Sequence, residues 1–232
     1  MSRGGIFLAV IFIVVLGLFG FFQSSFFRLS ELEVEGIDLL NAEEVRLLLD
    51  VGGGQHLYSI STGDLERRLA EDPRVATAEV TRHVPGRLVV LIRERQPVAA
   101  VIEGGVFALV DSEGTVLSVH GDWPGTSVPV LSGVHLDALD LGESLDAPGM
   151  DELLRCTELL GDLRYRISQI VREEGYMSLH TTGAEHVMFP LRDDEMKQAV
   201  SMLESILEGT RTEAGSTIDL RVPDRPVIRH PK

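Results

Sequence analysis

The sequence predicts an α+β protein: a single N-terminal transmembrane helix, a small β-α-α-β-β domain, and a larger antiparallel β-rich domain with two helices. Three observations carry this. A long uncharged apolar run opens the chain, helix-spaced and strand-spaced apolar patterns alternate up to Gln96, and strand patterns dominate after Pro97. The expected boundaries are a cytoplasmic head at 1–5, a membrane helix at 6–27, a first domain at 29–96 and a second at 97–232.

The apolar run lies between Arg3 and Arg28, and within it Ile6 to Phe22 consists of Ile, Leu, Val and Phe apart from Ala9, Gly17 and Gly20. At 1.5 Å per residue those 17 positions extend about 26 Å, and Phe26 and Phe27 prolong them. A cleaved signal peptide would need a shorter apolar core and a small-x-small site, and Phe21-Phe22-Gln23-Ser24-Ser25 offers no Ala-x-Ala. A retained anchor fits better. Arg3 and Arg28 balance each other, so charge alone leaves orientation open; the short head favours an inside N-terminus with the acidic body exported.

The remaining chain reads element by element. Leu32, Val34 and Ile37, interleaved with Glu31, Glu33 and Glu35, form a half-buried strand. Asn41 with Glu44 three residues on has capping-box spacing for a helix burying Ala42, Val45, Leu48 and Leu49, and Gly52-Gly53-Gly54 is expected to end it. A second helix begins at Ser61, buries Leu65 and Leu69, and stops before Pro73. The strand Val75 to Arg82 is expected to turn Ala76, Ala78 and Val80 to one face. Val84-Pro85-Gly86-Arg87 suits a type II turn into a returning strand with Leu88, Val90 and Ile92 inside.

Beyond Pro97, strands are expected at 98–102, 106–110, 115–119 and 128–131. A helix opened by Asp146 and Pro148 buries Met150, Leu153, Leu154, Thr157 and Leu160. Strands 167–172, 176–180 and 186–189 precede a helix from Asp193 to about Glu208, aligned on Met196, Ala199, Val200, Leu203 and Leu207. Thr217 to Val222 reads as the final strand, stopped by Pro223 and Pro226.

Composition excludes several functions. With 21 basic and 36 acidic side chains the net charge is −15, and such a surface repels a phosphate backbone, so nucleic acid is not an expected partner. A single cysteine, Cys156, leaves no internal disulfide or multi-cysteine metal cluster. No Gly-x-Ser-x-Gly, His-Glu-x-x-His or phosphate-cradling loop occurs, so no catalytic residue, cofactor, metal or small-molecule substrate is expected. His180 and His186 flank a hairpin; a zinc site would need a third ligand such as Glu185, and facing hairpin side chains explain the pair more simply. Trp123 suits a loop residue packed on the sheet.

Several segments together carry a resemblance. Leu57-Tyr58-Ser59-Ile60, the stretch from Leu69 through Asp72-Pro73-Arg74-Val75 and Val84-Pro85-Gly86-Arg87 to Leu88, and its continuation through Glu94-Arg95-Gln96-Pro97 to Ala99 resemble the polypeptide-transport-associated (POTRA) module of the FtsQ family, called DivIB in Gram-positive bacteria. Leu109 to Leu117 and Ile218-Asp219-Leu220-Arg221 resemble later hairpin and closing-strand segments of that family. The likeness covers about residues 30 to 230 in order, directly after an apolar anchor. It implies a non-enzymatic scaffold of the division machinery at the septum, in the bacterial inner membrane, binding FtsB/DivIC and FtsL outside the membrane and linking them to septal wall synthesis.

By the same resemblance Thr217, Ile218, Asp219, Leu220, Arg221 and Val222 are the partner-binding residues, expected to act as a free sheet edge onto which a partner strand pairs. The bland alternative is ordinary sheet with Asp219 and Arg221 as a surface ion pair. By the resemblance an aromatic residue is expected where Val222 stands. Two other readings are a POTRA-bearing component of an envelope secretion or assembly machine and a membrane-anchored cell-wall enzyme.

Overall fold

The computed structural model describes residues 3–136, 138–209 and 213–231, with the side chains of residues 3–6 and 9 outside that description. Part of the expected head, Met1 and Ser2, therefore lies outside the described residues. The chain divides into two compact units, Met1–Glu94 and Arg95–Lys232.

The first unit opens with helix α1, Arg3–Phe22, of 20 residues. The expected membrane helix 6–27 is helical only to Phe22, and among the described residues, which leave out the side chains of 3–6 and 9, no helix is long and apolar enough to cross a membrane. The rest of the unit runs β1 (Glu31–Glu35), α2 (Ala42–Leu49), α3 (Thr62–Ala70), β2 (Val75–His83) and β3 (Arg87–Glu94), the expected β-α-α-β-β order. The sheet order is β1-β3-β2, with β1 parallel and β2 antiparallel to the central β3. Leu88, Val90 and Ile92 of β3 are buried with Val45, Leu49, Leu65 and Leu69 from the two helices, so one apolar layer joins sheet and helices.

Local details correct four expectations. Asn41 accepts a hydrogen bond from the Glu44 N–H at 2.9 Å, but the Glu44 carboxylate turns to Arg74 rather than back to the cap. The helix ends on Asp50 in the left-handed conformation (φ 47°), two residues before the glycines, because a short carboxylate side chain also tolerates that region. A bulge between Val75 and Thr77 shifts the alternation at the start of β2, so Val75 is buried and Ala76 exposed. The β2–β3 turn is a three-residue loop, Val84-Pro85-Gly86, closed by the pair His83 and Arg87 and containing a cis Val84–Pro85 bond. Gly86 does hold the expected positive φ of 68°.

The unit also contains a buried acid that pattern reading missed. Glu94, at the end of β3, accepts the N–H groups of Asp38, Leu39 and Leu40 at 2.9, 2.6 and 2.7 Å. One carboxylate thereby satisfies three consecutive backbone donors and fixes the β1–α2 connection to the far end of the central strand.

The second unit is one nine-stranded sheet with β4 (Ala99–Glu103), β5 (Val106–Val110), β6 (Val116–His120), β7 (Val130–Ser132), β8 (Ile167–Glu173), β9 (Tyr176–Thr181), β10 (His186–Phe189), β11 (Thr217–Asp219) and β12 (Val227–Arg229). Their spatial order is β12-β11-β10-β9-β8-β7-β4-β5-β6. Helix α4 (Met150–Leu160) connects β7 to β8, and α5 (Asp193–Gly209) connects β10 to β11.

Those crossovers correct the expected antiparallel sheet. The pairs β7–β8 and β10–β11 are parallel, because a strand that returns through a helix re-enters the sheet in the same direction; β4–β7 is parallel as well, reached through β5, β6 and the loop that follows them. Both helices bury one face of the sheet: Leu153, Cys156 and Leu160 of α4 and Met196, Ala199 and Leu203 of α5 join Ile170, Leu179, Val187 and Ile218 in one core. Gly149 (φ 94°), rather than Asp146, is the cap residue of α4. Trp123 packs edge-on against Phe107 with ring centres 5.5 Å apart, as a loop residue on the sheet.

Candidate interaction site

The expected closing strand is shorter than the sequence implies and is not the last one. Only Thr217–Asp219 is strand; β12 then returns antiparallel, pairing Thr217 with Arg229, Ile218 with Ile228 and Asp219 with Val227. β11 is thus flanked on both sides, by β10 and β12, and the free edge expected at Thr217–Val222 lies instead on β12. The reversal is made by Pro223 and Pro226: the Arg225 N–H donates to the Val222 carbonyl at 2.9 Å, a turn with Pro223 in its second position. A reading that treated both prolines as stops missed the β-rich Val227-Ile228-Arg229 behind them.

Backbone direction shows what the edge offers. The Leu220 N–H donates to Met188 O at 2.8 Å, and His186 N–H to Ser216 O at 2.9 Å, so Ser216, Ile218 and Leu220 turn their peptide groups to β10. By alternation Thr217 and Asp219 turn theirs to β12, where they face Arg229 and Val227. Ile228 is then a residue whose N–H and C=O point away from the sheet. Its neighbours Pro226 and His230 share that outward phase, and Pro226 has no N–H to give.

The six expected residues divide between two roles. Ile218 and Leu220 are fully buried in the core beneath the sheet. Thr217 and Asp219 are half-buried, whereas Arg221 and Val222 are exposed at the tip of the hairpin. Arg221 donates to Asp219 through Nε at 2.9 Å and through Nη2 at 2.7 Å, and its guanidinium lies 5.6 Å from the Tyr176 ring centre. That hydrogen-bonded pairing holds the Asp219 carboxyl below the ordinary carboxylate range. Asp219, Arg221, Val222, Arg225 and Val227 line a shallow, open groove of about 470 Å³ beside the edge. Its surface mixes two exposed valines with an ion pair, the character of a protein contact rather than of an enclosed small-molecule site.

Elsewhere among the described residues, charged side chains pair into ion pairs such as Arg155 with Glu158 and Asp193. His180 and His186 face each other across β9 and β10 with ring centres 5.1 Å apart, and Ser178 Oγ lies 2.6 Å from His186 Nε2. Glu185 is turned to the Thr181 hydroxyl, outside that pair. Burial and the neighbouring His180 push the His186 imidazole down. Burial pushes the Cys156 thiol up to about 12. Among the described residues no group of three or more His, Cys, Asp or Glu side chains is arranged to hold a metal.

Comparison with known proteins assigns the family. Residues 27–95 match the model of the POTRA domain, FtsQ-type, which coincides with the β-α-α-β-β unit. The chain is 31% identical over 212 residues to the cell division protein FtsQ of Streptomyces griseus, covering 88% of this chain and 98% of that protein. It is 30% identical over 221 residues to FtsQ of Anaeromyxobacter sp. (strain K), covering 89% of this chain and 73% of the relative. It is 25% identical over 215 residues to FtsQ of Geotalea daltonii, covering 89% and 77%. With its POTRA unit and nearly its whole length matched, the chain belongs to the FtsQ/DivIB family of bacterial cell-division proteins.

Proposed function

We propose that this chain is a non-enzymatic, single-pass membrane scaffold of the division septum. In this reading α1 anchors it in the bacterial cytoplasmic membrane with the N-terminus inside, and both domains lie outside the membrane. The second domain binds FtsB/DivIC together with FtsL and links them to septal wall synthesis. The observation that carries the reading is the outward backbone of β12 at one end of the nine-stranded sheet, in a chain related to FtsQ proteins along most of its length. A partner strand pairs with the outer side of Ile228 and His230. Arg221 and Val222 contact its side chains from the hairpin tip, and Thr217, Ile218, Asp219 and Leu220 hold that hairpin to the core.

Physical chemistry favours such an arrangement. Strand addition takes its affinity from main-chain hydrogen bonds, and two exposed residues supply selectivity. Confinement to one bilayer raises the effective concentration of other anchored proteins, so a short strand contact suffices. Depletion of the protein in cells carrying a fluorescent fusion tests the reading. Midcell bands and filamentous cells on depletion are expected; a diffuse signal with normal cell length contradicts it.

A further inference from the structure

We propose that the POTRA domain has a membrane-facing collar that seats it in the interfacial zone of the bilayer, at the exit of α1. The inference rests on α1 being the membrane anchor, and it adds which face of the domain meets lipid. Chain continuity supplies the first argument. Only five residues separate Phe22 from Arg28, and Phe27 among them is buried. Arg28 bridges to His56, the Leu29 N–H donates to Gln55 O at 2.7 Å, and the Gly54 N–H donates to Leu29 O at 2.9 Å. The chain therefore enters the domain as a hydrogen-bonded ladder with no slack linker.

The helix end is itself held by the domain. His56 Nε2 lies 2.6 Å from the Phe22 carbonyl oxygen; that oxygen only accepts, so Nε2 carries the hydrogen and caps the helix C-terminus. Phe27 stacks on Phe22 with ring centres 5.3 Å apart and reaches Tyr58 at 6.0 Å, which makes a continuous chain of rings from α1 onto the domain. On the other side of Arg28 sits the β2–β3 loop. A Cβ on Gly86 would collide with the Arg28 carbonyl oxygen and come within 2.8 Å of Ser30 Oγ, so that loop lies directly against the exit residues.

Three segments thus converge around one point, and each leaves an apolar side chain in the open: Phe26 is 50% exposed, Tyr58 54% and Val84 51%. Pro85 is exposed beside Val84, and Arg28 adds a cation. Tyr58, a ring with one polar end, and the neighbouring Arg28 are side chains that favour the headgroup boundary, and Phe26, Val84 and Pro85 add apolar surface beside them. Continuity with the apolar helix identifies lipid as the occupant of the collar, rather than a protein surface. The far end of β2, at Ala76, lies seven residues from His83, about 23 Å away along a strand.

The test uses the full chain in vesicles of phosphatidylcholine and phosphatidylglycerol, with Trp123→Phe removing the single native tryptophan. Tyr58→Trp and Val84→Trp are the reporters, Ala76→Trp the control, and quenching by lipids brominated near the headgroup is the readout after flotation. Quenching at positions 58 and 84 at least twofold above that at 76 is expected. Flotation with all three positions equally unquenched overturns the collar and leaves the anchor standing. Failure to float with vesicles overturns the anchor, and the collar with it.

Discussion

Ile228 lies directly opposite Ile218 across the β11–β12 pair, with the Ile218 side chain fully buried and the Ile228 side chain packed on the same core. The hairpin is therefore fixed from beneath and free along its outer rim. Ile218→Ala removes buried volume and is expected to lower stability by about 3 kcal/mol, within the range for such core truncations. Val222→Ala, on the exposed tip, is expected to stay within about 0.5 kcal/mol. Equilibrium denaturation of the two variants beside the parent checks both values.

Glu94 sustains a second relationship, between the end of β3 and the three N–H groups of residues 38–40. Glu94→Ala strands the buried Leu40 N–H, which costs about 1–3 kcal/mol when left unpaired, and removes the acceptor of the partly buried Asp38 and Leu39 donors. A loss of about 3 kcal/mol in the unfolding of the POTRA domain is expected, and Glu94→Gln, which keeps one carbonyl acceptor, loses less. Denaturation followed by hydrogen exchange at residues 38–40 separates this local effect from a general one.

Burial and His180 depress the His186 imidazole, while Glu173 opposes them weakly. A histidine whose folded-state pKa is below its unfolded value near 6.5 binds fewer protons when folded. Its contribution is complete above pH 6.5 and is lost as pH falls through the folded value. The melting temperature is expected to fall between pH 7.5 and 5 more steeply in the parent than in His186→Gln, which a pH series of thermal melts measures.

Cys156 is fully buried on α4 with its thiol pushed up to about 12. At pH 8 it carries almost no thiolate and no access. A thiol reagent is expected to label the native protein on the time scale of unfolding, and the denatured protein at once. Rapid native labelling at pH 8 contradicts the placement of α4 against the sheet.

Much of this architecture is legible in the amino-acid order, because long amphipathic patterns are set by local spacing. Asn41, Leu65 and Leu69 mark helices α2 and α3, and Leu88, Val90 and Ile92 alternate as a core strand should. What escapes reading depends on contacts distant in sequence. The parallel pairing of β10 with β11 follows from the crossover through α5, and the role of Glu94 from a loop more than fifty residues earlier. Cover on the Thr217–Asp219 edge comes from a three-residue strand whose period is too short to identify on its own. Pro223 and Pro226 mark a break equally well whether the chain stops or turns back.

The most direct test of the account replaces the outward donor of the rim without touching the bonds behind it. Ile228→Pro removes an N–H that faces away from β11 and leaves the pairs Thr217–Arg229 and Asp219–Val227 in place. Binding of the full chain to a membrane-reconstituted FtsB–FtsL pair is the measurement, with thermal melting as the folding control. A loss of roughly fivefold or more in affinity is expected from one main-chain hydrogen bond of about 1 kcal/mol and the strand order it supports, in a variant that melts somewhat lower for its lost core contact but is fully folded at the assay temperature. Undiminished binding by a folded Ile228→Pro variant contradicts strand pairing at this edge.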